Sequence, residues 1–304
     1  MTNHSTLARS SPELQGVSSS AISGFLAAID REGLEVHSVM LLRHGHVVAE
    51  GWWAPYSSAR VHLLYSLSKS FTATAIGLAV AEGLLSVDDP VLSFFPDEAP
   101  EKASEYLAGM RVRHLLSMAT GHLTDTLDRL VEHGGGNWIK GFLALPPERA
   151  PGTVFTYNNG ATFMLSAILE KLAGTKLLDY LRPRLLEPLG VTEAYWHENP
   201  QGITLGFTGL HLTTEAVARF GQLYLQRGRW QGRHLVPEWW VAEATTLQVP
   251  TAPPPEDNVT DWAQGYGYQF WRCQHGAYRG DGAFGQFCVV MPEQDAVLVI
   301  TAAV

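Results

Sequence analysis

Apolar and polar positions alternate in two short runs near the start of the chain, Val36 to Arg43 and His46 to Trp53, with His44-Gly45 between them. Alternation on either side of a tight, glycine-containing turn predicts a β-hairpin. Ahead of it, Ser18 to Ser20 offer capping hydroxyls for a helix that runs to about Arg31. Residues 1–17 read as a loose arm. From Ser66 the pattern changes to a run rich in Ala, Leu and Thr that continues to about Glu82 and stops at Gly83. Further helical stretches are Arg111 to Met118, Thr162 to Ala173, Leu177 to Leu186, Thr213 to Gln226 and Pro237 to Thr246, most of them ended by Gly or Pro. Gly134-Gly135-Gly136 and the proline-rich stretch Thr251 to Asp261 read as loops. After them the alternation returns: Tyr266 to Arg272, Gly276 to Arg279, Phe284 to Met291 and Ala296 to Ala303 predict strands, with Pro292 breaking the last hairpin.

The order is helix, two strands, a long helical middle, then three or four strands. This predicts an α+β fold, an antiparallel sheet built from both chain ends and flanked by helices, with an inserted all-helical lobe. The expected division is 18–65 with 235–304 as one discontinuous lobe, 66–234 as the helical lobe, and 1–17 as the arm.

Composition narrows the function classes. The formal charge is −9, which disfavours a nucleic-acid partner, since that needs a basic face. No apolar run approaches the 18 or more residues of a membrane span. The first thirty residues carry no charged-then-apolar leader, so a cytoplasmic location is the expectation. Two cysteines, Cys273 and Cys288, do not make a disulfide framework and read as reduced core thiols. The twelve histidines contain no HExxH, and His44-Gly45-His46 is explained by the hairpin turn. No metal site and no cofactor is expected. No G-x-S-x-G elbow occurs either.

Three short motifs carry chemistry. Ser66-Leu67-Ser68-Lys69 is an S-x-x-K at a helix start. Positions i and i+3 share a helix face, so a lysine amine stands beside a serine hydroxyl. A hydroxyl becomes a nucleophile when a neighbouring base takes its proton, and a buried lysine can be that base. Tyr157-Asn158-Asn159 is a Y-x-N; a phenol there can shuttle a proton, and the amide can hold the lysine and a substrate carbonyl. Gly280-Asp281-Gly282-Ala283 precedes the last strands, and glycine on a strand edge lets backbone approach a ligand closely. Each motif alone also fits an ordinary helix face, turn or hairpin. Their order along the chain is what a shared site requires.

Together with these motifs, the stretches Leu63 to Ala75, Arg111 to Gly121, Pro151 to Gly160, Gly209 to Gln226 and Tyr266 to Pro292 resemble the penicillin-recognising serine hydrolases. Within them the chain is most similar to the class C β-lactamase-related group, which includes family VIII carboxylesterases and nylon-oligomer hydrolases. The resemblance covers nearly everything from Val36 on and implies a β-lactamase/transpeptidase-like fold. It implies Ser66 as the acyl-accepting nucleophile, Lys69 as its base and Tyr157 as the proton shuttle. It implies backbone N–H groups of Ser66 and Ala283 as the oxyanion hole. Asn159 and Gly282 would face substrate, with His122, Trp138 and Trp271 as candidate contacts or pocket walls.

The chain departs from the family pattern at the third motif, usually K-T-G or H-x-G. Gly280 supplies no cation for a β-lactam carboxylate, and Asp281 sits beside its place. The expected substrate is therefore a small carboxylic ester or amide. A β-lactamase or D-amino-acid peptidase is the alternative within enzymes, and a non-turnover penicillin-binding sensor or scaffold the alternative outside them. Members of the family continue beyond the strand that ends near Val304 into a helix covering the sheet. An apolar face left open there calls for a downstream segment or a second copy of the chain, a homo-oligomer.

Overall fold

Strands from both ends of the chain meet in one sheet. The structure, a computed structural model, describes residues 7–251 and 260–304. The strands are β1 (Ala8–Arg9), β2 (Val36–Arg43), β3 (His46–Trp52), β4 (Trp271–Arg272), β5 (Tyr278–Gly282), β6 (Gln286–Met291) and β7 (Ala296–Ala302), in the spatial order β1-β3-β2-β7-β6-β5-β4. All neighbours are antiparallel except β1 on β3, which is parallel. The N-terminal strand β2 lies against the C-terminal strand β7, with Val39 opposite Ile300. The loose arm is thus a partial misreading: Ala8 and Arg9 add a strand to the sheet edge, and Arg9 bridges Glu50 and Glu215.

The sheet's two faces differ in cover. Met40, Leu42, Val297, Val299, Cys288 and Val290 point inward and are buried. Against them packs helix α4 (Thr214–Leu225), following α1 (Ser19–Arg31), α2 (Ser68–Ala81) and α3 (Asn159–Ala173) in chain order. Gly221 of α4 has no room for a side chain: a Cβ there would lie 2.6 Å from Val297 and 2.8 Å from Cys288. Although α4 falls in the stretch expected to form the helical lobe, it is sheet cover. The outer face carries Val39, Leu41, Ala49 and Leu298 under α1. Between that helix and the sheet an apolar groove of about 430 Å³ stays open.

Helices α2 and α3 pack together in the helical middle. Phe71 of α2 stacks on Phe220 of α4 at 4.0 Å, so α2 joins the two parts of the core. Ser18 and Thr213 cap α1 and α4 through their hydroxyls, as their sequence positions predict. Leu177 to Leu186 is less regular than expected, with an α-turn over Leu177–Leu181 and a π-turn over Arg182–Leu186. Tyr266 to Arg272 is not one strand; only Trp271–Arg272 pairs with β5. Gln269 turns left-handed there, and its side chain reaches back to the Leu115 and Leu116 carbonyls and to Thr162. Both cysteines are free and buried. The expected loop at Thr251 to Asp261 lies mostly outside the described residues. Among the described residues no helix is long and apolar enough to cross a membrane.

Candidate active site

Ser66 sits one step before the regular helix. Tyr65–Leu67 forms a 3₁₀ turn that runs straight into α2, and Tyr65 is held left-handed. The turn is fixed from two sides: Leu64 N–H donates to the Leu210 carbonyl at 2.9 Å, and Leu210 N–H donates to Ser68 Oγ at 3.1 Å. Strand β5 presses on it from a third direction. A Cβ at Gly282 would lie 2.3 Å from the Leu64 carbonyl and 3.1 Å from the Leu67 nitrogen, and one at Gly280 would lie 2.2 Å from Leu67 Cδ1. Glycine is needed here for close approach of β5 to the Ser66 turn, whereas the sequence reading expected it for close approach to a ligand.

Lys69 is 1% exposed. Its Nζ lies 2.8 Å from Ser66 Oγ, 2.8 Å from Asn159 Oδ1 and 3.0 Å from the Phe207 carbonyl. Burial pushes the ammonium down to about 7, against the opposing pull of Asp125 and Asp281. The Tyr157 phenol is hydrogen-bonded to Ser66, and burial pushes it up. The Tyr157 ring lies under Lys69 Nζ at 4.7 Å. Ser66, Lys69, Tyr157 and Asn159, picked from two motifs 90 residues apart, form one connected cluster.

Asn158, between Tyr157 and Asn159, has a structural task. Its Oδ1 accepts from Thr126 Oγ1 at 2.7 Å and from Ala161 N–H at the start of α3. Trp271 stacks on Tyr157 at 5.8 Å and 19°, so it adjoins the cluster. Trp138 meets Phe163 of α3 edge-on. Ala283 is exposed at the end of β5, directly after Gly282. His122 corrects the expectation of a substrate contact. It is fully buried, with one ring nitrogen 3.0 Å from Thr120 Oγ1 and the other 3.0 Å from the Leu145 carbonyl, and it has no open face.

Sequence reasoning missed two participants, the Asp125 carboxylate and the Phe207 carbonyl. Asp125 accepts from Asn159 N–H at 2.8 Å and from Asn159 Nδ2 at 2.6 Å. The Phe207 carbonyl, which holds Lys69, is backbone and leaves no mark in a residue pattern. Arg279 lies buried over Trp262 and donates to Asp281 at 2.7 Å and to Cys273 Sγ at 3.0 Å. Its charge is therefore engaged by Asp281, whose carboxyl burial pushes up and Arg279 pulls back. Among the described residues no cluster of three or more His, Cys, Asp or Glu could hold a metal ion.

Residues 21–303 match the beta-lactamase family. The chain belongs to that family. A curated relative, the 6-aminohexanoate-dimer hydrolase of Paenarthrobacter ureafaciens, is 25% identical over 280 residues, 86% of this chain and 70% of the relative. Among solved structures, a putative 6-aminohexanoate-dimer hydrolase from Bacillus anthracis superposes with a TM-score of 0.75 at 20% identity, covering 91% of this chain and 75% of that one. EstCE1, a hydrolase with promiscuous acyltransferase activity, gives 0.73 at 18% identity with 91% of each chain covered. At these identities the solved structures establish the beta-lactamase-like fold alone. The family and these relatives are hydrolases.

Proposed function

We propose that this member of the family is a serine hydrolase that forms an acyl-enzyme on Ser66 and acts on small carboxylic esters or amides. The observation that carries the reading is the set of partners around Lys69. Asn159 Oδ1 and the Phe207 carbonyl can only accept hydrogen bonds. A neutral amine has two N–H donors and one lone pair. Two acceptors consume the donors, so the lone pair is left for the third neighbour, the Ser66 hydroxyl at 2.8 Å. Lowered to about 7, Lys69 has this neutral form well populated at neutral pH. It takes the Ser66 proton as Oγ attacks the carbonyl carbon. Tyr157, hydrogen-bonded to Ser66, passes a proton to the leaving alcohol or amine. Water then attacks the acyl-enzyme by the reverse route. The N–H groups of Ser66 and Ala283 would hold the oxyanion, a reading supported by the close approach of β5 to the Ser66 turn. The cluster supplies this chemistry from protein groups alone. The two-lobed division, with the site between the sheet lobe and the helical middle, is part of the same proposal.

The substrate reading rests on the third motif. Arg279 is the nearest cation on β5, and Asp281 occupies it. A lost charge-assisted contact to a β-lactam carboxylate is worth about 1.5–3 kcal/mol, or roughly 10- to 100-fold. The test is kcat/KM for p-nitrophenyl butyrate against nitrocefin on one preparation. The ester is expected to win, with an acid limb near pH 7 set by Lys69. A tenfold advantage for nitrocefin would overturn the ester reading and move the chain to the β-lactamase alternative.

A further inference from the structure

The proposed mechanism leaves one requirement unexplained. Lys69 reserves its lone pair for Ser66 only while Asn159 presents its oxygen. An amide flipped by half a turn would present Nδ2 instead, and that N–H would donate to the lone pair and compete with the serine. Oxygen and nitrogen of an amide occupy nearly the same volume, so packing alone does not choose between them; hydrogen-bond partners do. Phe207 offers a fixed carbonyl to Lys69 and none to Asn159.

From this geometry we infer that Asp125 is a positioning residue that locks the Asn159 amide with its oxygen toward Lys69. One carboxylate oxygen accepts the Asn159 backbone N–H at 2.8 Å, the other accepts Nδ2 at 2.6 Å. The flipped amide would set Oδ1 against a carboxylate oxygen, two acceptors in contact, and Nδ2 against the amine. The carboxylate itself is anchored by a third bond, from Leu127 N–H at 3.2 Å. It is exposed and has no salt-bridge partner among the described residues, so its hydrogen bonds to Asn159 are undiverted. The Asn159 backbone N–H belongs to the first turn of α3, where a negative charge is favoured by the helix dipole. The hydrogen bonds of the Asp125 carboxylate go to Asn159 and Leu127 and not to Ser66 or Tyr157, so it sets the hydrogen bonding of Lys69 through Asn159.

The same carboxylate pulls the Lys69 ammonium upward. Removing it has two effects of one sign on the lysine. The opposing charge is lost, and the freed amide can donate to the neutral amine. Both favour the neutral form, so Lys69 titrates at lower pH, although the released lone pair is then shared and the rate falls.

This inference rests on the Ser66 acyl-enzyme reading, and the experiment separates the two. Asp125→Ala removes both acceptors. Asp125→Asn removes the charge and leaves one acceptor, and it serves if the alanine variant folds poorly. With p-nitrophenyl butyrate, kcat is expected to fall about 10- to 100-fold with KM little changed, as for a small misplacement of a reacting group. The acid limb of kcat/KM should move to lower pH. Independently of turnover, ¹³C-labelled lysine NMR on substrate-free protein should show the buried Lys69 resonance titrating lower than in wild type; four other lysines serve as internal controls. Wild-type kcat in both variants overturns the inference. So does a loss of rate with an unmoved acid limb and an unmoved Lys69 titration, which marks a merely structural role. If Ser66→Ala keeps wild-type turnover, the parent reading fails, while the NMR titration still reports whether Asp125 governs Lys69.

Discussion

The two faces of the central sheet come from the same strands and the same alternating sequence, yet they are finished differently. On the inner face Met40, Leu42, Val297 and Val299 are fully buried under α4, and Gly221 lets the helix approach to contact distance. On the outer face α1 covers only part of an equally apolar surface. Phe25 and Leu26 remain 39% and 37% exposed, and a groove of about 430 Å³ separates the helix from Val39, Leu41 and Leu298. The alternation tells which residues point each way; it does not tell how completely each side is filled. The candidate chemistry lies on the filled side. Ser66 and Lys69 belong to a turn and helix clamped by β5, α3 and the Leu210 backbone. A buried lysine whose proton affinity depends on dehydration needs that close packing.

The largest expected effect tests the contrast in packing. Phe220→Ala on the inner side removes a ring stacked on Phe71 and is expected to cost about 3–5 kcal/mol in stability. Leu298→Ala, lining the outer groove, is expected to cost about 1 kcal/mol, because water already reaches the site. Urea midpoints measured at constant m-value compare them; equal losses would break the distinction between the faces.

A second pair separates the faces by activity. Gly282→Ala forces a Cβ against the Leu64 carbonyl, so β5 must back away from the Ser66 turn. Esterase kcat/KM should drop by about 100-fold with the far-UV spectrum retained. Gly51→Ala on β3 meets nothing within 4 Å and should leave kcat/KM unchanged. If Gly282→Ala retains full activity, the close approach has no functional meaning.

A smaller effect, dependent on pH, belongs to the outer side. His62 Nδ1 donates to the Leu63 carbonyl at 2.8 Å, so its Nε2 accepts from His37 Nδ1 at 2.7 Å. Only neutral His62 can accept that bond. Burial, and then His37, hold His62 below its ordinary value of 6.5. The unfolded chain therefore binds the proton first, and this share of stability is present above pH 6.5 and lost as pH falls toward the lower folded value. Thermal midpoints of wild type and His62→Asn should converge between pH 7 and 5. Parallel curves would show that the pair contributes no proton linkage.

Much of this was legible because it is local. The hairpin at His44-Gly45, the caps at Ser18 and Thr213, and the strand pattern after Phe284 follow from short-range rules. The S-x-x-K and Y-x-N spacings brought four polar groups into one cluster as expected. What stayed hidden is made by distant contacts. Asp125 has no periodic neighbour to mark it and acquires its partner only when α3 docks. The Phe207 carbonyl belongs to backbone. Tyr266 to Arg272 reads as a strand by composition, but Gln269 turns left-handed to bond the helical middle, and Gly267 lies where a side chain would strike the Ala244 carbonyl. His122 was a candidate substrate contact under the family resemblance, whereas both its nitrogens are satisfied inside the core.

The most direct test of the central claim is covalent labelling of the serine. An alkyl fluorophosphonate transfers its phosphonyl group to an activated hydroxyl and releases fluoride, leaving a stable adduct. Intact mass and peptide mapping after such treatment should find one adduct per chain, on the peptide that carries Ser66, formed more slowly as pH falls below 7. Ser66→Ala should take no label and hydrolyse no p-nitrophenyl butyrate, while losing only about 1 kcal/mol or less of stability. A label on another residue, or ester turnover surviving in Ser66→Ala, would contradict the account.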